Sequence, residues 1–198
     1  EEVLAREPEA VQTFLLQTAI LTRLSGPLCD AVTGTSGGQE MLERLERRNL
    51  FVVPLDDARR WYRYHHLFAD LLQARLYQSH PDAGPDQIAR LFSRAAEWCE
   101  KEGHVAEAVD YALAAQDDAR AADLIARHWH HTANKGEIET VWSWLQALAE
   151  DAVRGNALLG LAYCWVLAQG PDRRHRGAPG RCGKRAERAS DGCGVERR

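Results

Sequence analysis

The sequence lacks the short motifs that mark nucleotide-hydrolysing and peptide-cleaving centres. It has no Gly-x-x-x-x-Gly-Lys-Ser/Thr phosphate loop, no Gly-x-Ser-x-Gly nucleophile elbow and no His-Glu-x-x-His zinc motif. Without a phosphate loop, the chain is not expected to hold ATP by itself. We therefore expect no enzyme active site, no metal site and no cofactor bound by this chain alone.

Paired cysteines and long apolar runs are missing too. The five cysteines are odd in number and none lies in a Cys-x-x-Cys pair, so reduced thiols in the cytoplasm are the simplest account. The longest apolar run, Ala157 to Ala168, is shorter than the ~20 residues of a membrane span. No basic segment with a cleavable apolar core opens the chain, which argues against secretion. Because the first residue is Glu1 and not Met, we expect the natural start to lie upstream.

The charge is unevenly distributed along the chain. The net charge is -4, but residues 171–198 hold nine Lys and Arg against four Asp and Glu, which leaves -9 for residues 1–170. Binding to a nucleic-acid duplex requires that many phosphates be neutralised. The acidic body therefore predicts no direct DNA binding.

An aromatic strand that runs directly into a helix is the most distinctive stretch, between Trp61 and Leu72. Period-2 alternation places Trp61, Arg63 and His65 on one side and Tyr62 and Tyr64 on the other. From Leu67 the apolar residues recur at helical spacing. His65 is thus predicted at a strand-to-helix corner, next to free backbone N–H groups that suit an anion. The alternative is that His65 and His66 only pack or hydrogen-bond locally.

The elements before this corner predict a winged helix at about residues 1–80. We expect a helix over 9–24 ended by Gly26-Pro27, a short helix with Leu28, Cys29 and Val32 inward, and a helix from about Gln39 to Arg48. Two β-rich runs, Leu50 to Leu55 and Trp61 to His65, flank a hairpin loop. In the third helix three glutamates cancel three arginines, so it is a poor candidate for a DNA-recognition helix.

After a turn-rich linker at about 79–85, the pattern predicts helical hairpins at about residues 81–170. Apolar and alanine-rich stripes mark successive helices, and alanines let helices approach closely. Gly103, Gly136 and Gly170 recur at a spacing close to that of the tetratricopeptide repeat. The chain is therefore predicted to be mainly α-helical, with a small β-hairpin and TPR-like repeats. The alternative is an ordinary bundle in which the three glycines coincide by chance.

Several separated motifs resemble the MalT-like, LuxR-type ATP-dependent transcriptional regulators. They are Phe14-Leu15-Leu16-Gln17-Thr18, Leu28 to Gly34, Asn49 to Asp56, and Tyr64-His65-His66-Leu67-Phe68. The resemblance implies an ATPase domain, a winged helix, a helical-repeat sensor and a C-terminal DNA-binding domain. This chain would be a fragment holding the winged helix and the start of the sensor. Its partners would be the upstream ATPase domain and the remaining sensor repeats, with an inducer or protein bound on the repeat surface.

The resemblance also implies a role for His65. The corner Tyr64-His65-His66-Leu67 is similar to the Met-His-Asp-Leu element of winged helices in signalling ATPases, and His65 matches its histidine. There the histidine reaches the β-phosphate of ADP on the ATPase domain and holds the inactive state. ATP and ADP would thus be ligands of the intact protein. His66 replaces the acidic residue of that element.

The segment 171–198 differs from the rest because it is rich in Arg and Gly and has Val195 as its one aliphatic residue larger than alanine. Such a segment cannot bury enough apolar surface to fold, so disorder is predicted. Three explanations stay open: a natural basic tail, an arm for nucleic acid or a membrane surface, and translation in a shifted reading frame.

Other functions also stay open at the level of sequence. The chain could be a stand-alone protein-interaction module, or the regulatory region of a serine/threonine kinase, since some kinases carry a similar ATPase-repeat region. His128, His130 and His131 form the densest histidine cluster, but two ligands on one helix face without a nearby carboxylate make a weak metal site. Trp129, Trp142 and Trp144 are predicted to pack in the core.

Overall fold

The computed structural model describes residues 7–79 and 84–169, and these form helices and one small antiparallel sheet. The predicted disordered tail, Gly170 and residues 80–83 of the predicted linker lie outside the described residues. The first part of the described chain, residues 7–79, contains three helices, a β-hairpin and a fourth helix: α1 Glu9–Thr18, α2 Gly26–Thr33, α3 Gly38–Arg47, β1 Val52–Pro54, β2 Tyr62–Tyr64 and α4 His66–Ser79. This order confirms the predicted winged helix.

The predicted end of the first helix is wrong. α1 ends at Thr18, six residues before the expected end, because the segment that follows pairs with the sheet. Leu24 and Tyr62 exchange two backbone hydrogen bonds of 2.8 Å. Gly26-Pro27 does not end α1 but begins α2. Ser25 caps α2 by accepting a hydrogen bond from the Leu28 N–H, and proline is tolerated in the first turn.

The core of the winged helix is formed by the faces that the apolar spacing predicts. Leu28, Cys29 and Val32 on α2 are fully buried, as are Leu42 and Leu45 on α3. α2 and α3 cross at two glycines, Gly26 and Gly38, so closely that a Cβ on Gly38 would lie 2.7 Å from the Gly26 carbonyl oxygen. The sequence of the crossing region is therefore limited by space as well as by polarity.

The second part of the described chain consists of helices arranged as consecutive hairpins: α5 Gly84–Lys101, α6 Val105–Ala114, α7 Asp118–Asn134, α8 Ile138–Ala147, α9 Glu150–Gly155 and α10 Ala157–Gln169. α7 ends 33 residues after α5, and α8 begins and ends 33 residues after α6. Gly103 and Gly136 occupy the same turn in the two hairpins, with φ of +78° and +88°. The predicted period is confirmed for these two hairpins, whereas the short α9 was not predicted.

Small residues bring these helices together, as expected. Ala95, Ala96, Ala108, Ala112 and Ala121 are all fully buried. The hydrophobic core is continuous from α1 to α10, so the two predicted parts pack against each other. α2 contacts α5, where the Arg94 guanidinium donates to the Val32 carbonyl at 3.0 Å.

Candidate functional site: the hairpin and its strand-to-helix corner

The β-hairpin has one buried and one exposed face. Val52 pairs with Tyr64 and Val53 with Arg63 in the antiparallel register. Tyr62 and Tyr64 are buried, Arg63 and His65 are exposed and Trp61 is half-buried. The predicted alternation is therefore confirmed, since a pleated strand turns successive side chains to opposite sides.

His65 lies at the corner between β2 and α4, where its backbone is held from both sides. Its N–H donates to the Phe51 carbonyl at 2.8 Å, and its own carbonyl accepts from the N–H groups of Phe68 and Ala69 at 2.9 and 3.0 Å. These two bonds begin α4, whose first N–H groups have no partner within the helix. The imidazole is exposed and its ring centroid lies 4.3 Å from that of His66. The corner thus presents an imidazole next to the positive end of a helix dipole, an arrangement suited to an anion.

A buried hydrogen-bond chain beneath the hairpin fixes this corner. The Thr18 hydroxyl donates to the Phe14 carbonyl at 2.6 Å, and the Tyr64 hydroxyl donates to Thr18 at 2.7 Å. Burial raises the pKa of Tyr64 above its ordinary value, so this hydroxyl stays protonated. The Tyr64 ring also packs edge-on against Phe68 of α4, with centroids 5.9 Å apart. β2 and α4 are therefore anchored to α1 on the side opposite His65.

The other end of β2 contacts the first helical hairpin through a group that we call the Arg23 cluster: Arg23, Trp61, Trp98, His104 and Glu107. The Arg23 guanidinium carbon lies 4.3 Å from the Trp61 ring centroid, and Arg23 forms an ion pair with Glu107. Trp61 packs edge-on against Trp98 and His104, with centroids 6.4 and 5.5 Å apart. The sequence placed Trp61 on the exposed side of β2, but no local pattern linked it to residues so far along the chain.

The histidine cluster of α7 does not form a metal site in the described part of the chain. His128 is half-buried, while His130 and His131 are exposed. Nowhere in residues 7–79 and 84–169 do three or more His, Cys, Asp or Glu side chains converge on a point that could hold an ion. The tryptophans near this cluster pack as predicted, since Trp129 and Trp144 are buried and Trp142 is partly buried against the core.

One carboxylate of α3 is paired with the hairpin loop, and one guanidinium is bonded to the backbone of the helix. Arg47 donates to the Glu43 carbonyl at 3.2 Å, and Arg59 from the loop pairs with Glu46 at 3.1 Å. The absence of DNA binding by this helix stays a prediction. None of the helices in the described ranges is both long and apolar enough to span a membrane.

Comparison with known proteins connects this geometry to a family. Residues 1–84 match the family model of the MalT winged helix domain. Over 167 residues, or 83% of the chain, the sequence is 37% identical to the serine/threonine-protein kinase PknK of Mycobacterium tuberculosis and to PknK of Mycobacterium bovis, covering 15% of each. It is 32% identical over 167 residues, or 84% of the chain, to the HTH-type transcriptional regulator MalT of Cronobacter sakazakii, covering 18% of that protein. The chain therefore spans less than a fifth of the length of these relatives.

The family match covers every element of the first part, from α1 through the hairpin to α4. The similarity to both relatives extends well beyond it into the helical hairpins. The family match thus identifies residues 1–84 as a winged helix similar to that of MalT.

Proposed function

We propose that this chain is a regulatory segment of a MalT-like, LuxR-type ATP-dependent transcriptional regulator. In the intact protein the winged helix couples the nucleotide state of an upstream ATPase domain to a TPR-like sensor. The sensor repeats bind an inducer or a protein partner, and the segment works in the cytoplasm by binding and not by catalysis. The observation that supports this most is the exposed His65 imidazole, held by backbone hydrogen bonds at the N-terminal end of α4.

His65 is the residue through which we propose that ADP is sensed. Its imidazole N–H donates to the β-phosphate of ADP bound to the ATPase domain. A hydrogen bond to a charged group contributes roughly 1.5 to 3 kcal/mol, which is the size of a typical allosteric coupling. Exchange of ADP for ATP removes or rearranges this contact, and the winged helix then moves away from the ATPase domain.

A second candidate is favoured by the comparison with PknK. Over 83% of the length of this chain, the sequence is 37% identical to the kinase. The same segment therefore fits the regulatory region of a serine/threonine kinase. The role of His65 is the same in both proteins, and only the output domain differs. The coding sequence on either side distinguishes them: a kinase catalytic signature upstream selects the kinase, and a helix-turn-helix downstream selects the transcriptional regulator.

Replacement of His65 by Ala in the intact protein tests the proposed function. We expect the affinity for ADP to fall about 10- to 100-fold, corresponding to the loss of one charge-assisted hydrogen bond. The affinity for adenosine, which has no phosphate, should not change. Isothermal titration calorimetry with both ligands measures the difference.

Two further variants make this test specific. His66→Ala is the matched control, since His66 is the exposed neighbour of His65 and should leave ADP binding unchanged. His65→Asn retains a side-chain N–H donor and should recover part of the affinity. Equal ADP affinities for wild type and His65→Ala would refute the role of His65.

A further inference from the structure

One histidine of the Arg23 cluster accepts a hydrogen bond that only its neutral form can accept. Arg23 Nη2 lies 3.4 Å from His104 Nδ1. A guanidinium carries donors and no acceptor, so His104 Nδ1 must be the unprotonated nitrogen of a neutral imidazole. A proton added to Nδ1 would set two donors and two positive charges against each other. The contact therefore belongs to one protonation state of His104.

The imidazole of His104 is held in place by its neighbours. Its backbone N–H donates to the Cys99 carbonyl at 2.8 Å. The ring is stacked on Trp98, with centroids 5.8 Å apart, and lies edge-on to Trp61, with centroids 5.5 Å apart. Because a closely packed ring has little room to rotate, protonation cannot simply turn Nδ1 away from Arg23.

Glu107 is the carboxylate for which His104 and Arg23 compete. Arg23 forms an ion pair with Glu107, and the two side chains are 35% and 29% exposed. His104 is the residue that precedes α6, and Glu107 lies in the first turn of that helix, three residues further on. Side chains three residues apart on a helix are close enough to form an ion pair. Protonated His104 would thus give Glu107 a cation from its own helix, in place of the cation from the winged helix.

Charged groups of both signs face His104 from the second helical hairpin as well. A cavity of about 410 Å³ lies beside the ring. The titratable side chains that line it together with His104 are Glu107, His128, His131, Lys135 and Glu137. Among the described residues, Arg23 is the one whose side chain bonds to this imidazole. The response of His104 to pH is therefore decided mainly by Arg23 and Glu107.

We infer that His104 is an acid-sensitive switch between the winged helix and the first helical hairpin, α5 and α6. Neutral His104 accepts from Arg23 and leaves Glu107 to the same guanidinium, so the two parts are joined. Histidines take up a proton from solvent at about pH 6.5. The imidazolium then repels Arg23 and pairs with Glu107, and the guanidinium loses both polar partners. This switch does not depend on a nucleotide at His65.

Two buried thiols measure whether the parts are joined, since Cys29 lies in α2 and Cys99 in α5. A buried thiol reacts with a pyridyl disulfide only after its part of the molecule opens. At about pH 7.5 the two rates should be similar, because one cooperative opening exposes both thiols. At about pH 5.5 the ratio of the rates should change by about fivefold or more. The ratio cancels the effect of pH on the thiol reaction itself. The full-length chain is used with three cysteines replaced by Ser: Cys164, Cys182 and Cys193.

Three variants test whether His104 and its contact with Arg23 cause the response. His104→Asn keeps a side-chain acceptor and does not titrate, so its rate ratio should be the same at both pH values. Arg23→Ala removes the joint, so its rates should already differ at neutral pH, with no further change in acid. His131→Asn is the matched control, because His131 lines the same cavity, and it should respond to pH as the wild type does.

Each outcome supports or overturns the switch. A rate ratio that is independent of pH in the wild type overturns it. A response to pH that persists in His104→Asn also overturns it, because another group must then titrate. Loss of the response in His131→Asn assigns the effect to His131 and overturns the role of His104. Separated rates in His104→Asn at both pH values support the need for an imidazole acceptor at this position.

Discussion

At the scale of single residues, two glycines determine how the helices of the winged helix cross. A Cβ on Gly38 would lie 2.7 Å from the Gly26 carbonyl oxygen and 2.8 Å from Asp30 Oδ1. The latter atom also accepts the Gly38 N–H at 2.7 Å, so the side chain of Asp30 cannot move away without losing this bond. Close contact with backbone and with a bonded side chain leaves no inexpensive adjustment.

Gly38→Ala should therefore destabilise the protein by about 1–3 kcal/mol, the usual cost of overpacking a tight site. Gly160→Ala is the matched control, because a Cβ on Gly160 meets nothing within 4 Å and the residue lies inside α10. Alanine there should stabilise by about 0.5–1 kcal/mol, since glycine loses more conformational freedom on folding. Urea unfolding followed by circular dichroism measures both changes. Equal stabilities for Gly38→Ala and wild type would mean that α2 and α3 can separate freely.

At the scale of elements, local sequence patterns predict the helices and the hairpin well. Contacts between residues far apart in the chain are not predicted by such patterns. The alternation around Tyr62 and Tyr64 and the position of His65 depend on consecutive residues, so the sequence was enough. The predicted end of α1 is wrong because Leu24 lies outside the helix and pairs with Tyr62. No local pattern reveals this pairing. The Arg23 cluster was missed for the same reason. The exposure of Phe51, Val53 and Leu55 depends on which elements cover the hairpin, and this is also a long-range property.

Two helices of successive hairpins are joined by a carboxylate that receives two guanidinium groups. Glu100 on α5 accepts from Arg127 at 2.8 Å and from Arg120 at 3.0 Å, both on α7. The hydrogen bond from Arg127, followed by that from Arg120, holds the pKa of Glu100 below its ordinary value of 4.5. A lowered pKa in the folded state means that the stabilisation is present above the unfolded pKa and is lost as the pH falls through the folded pKa.

Glu100→Gln should thus destabilise the protein at pH 7 by about 1 kcal/mol or less, as for other partly exposed ion pairs. The difference from wild type should shrink as the pH is lowered from 4.5 through the folded pKa of Glu100, because the wild-type carboxylate is then protonated. Urea unfolding at a series of pH values measures it. Glu97→Gln is the control, since Glu97 pairs with Lys101 within α5 and joins no two helices. A difference that is independent of pH would contradict the assignment.

At the scale of the whole molecule, β2 connects the corner of the proposed nucleotide contact with the surface that packs against the helical hairpins. His65 at one end faces the proposed nucleotide, and Trp61 at the other end lies in the Arg23 cluster against α5 and the start of α6. Because four residues of a strand span only about 13 Å, a shift of the hairpin at His65 is carried to Trp61 by a short rigid element. The proposed transfer of nucleotide state to the sensor would pass through this joint.

Arg23→Ala should uncouple the winged helix from the hairpins without unfolding either. The variant loses the cation–π contact with Trp61 and the ion pair with Glu107, together about 1–2 kcal/mol. Cys29 in α2 and Cys99 in α5 report on the two parts separately. Burial raises the pKa of both thiols to about 12, so each reacts at neutral pH only when its part of the molecule opens.

In the wild type, Cys29 and Cys99 should exchange with a disulfide reagent at similar, slow rates, because one cooperative opening exposes both thiols. In Arg23→Ala the two rates should separate by about fivefold or more, the factor that corresponds to about 1 kcal/mol. Arg154→Ala removes an exposed ion pair within α9 and should leave both rates unchanged. Equal rates in Arg23→Ala would show that the continuous core, and not the Arg23 cluster, joins the two parts, and nucleotide state would then have to reach the sensor by another path.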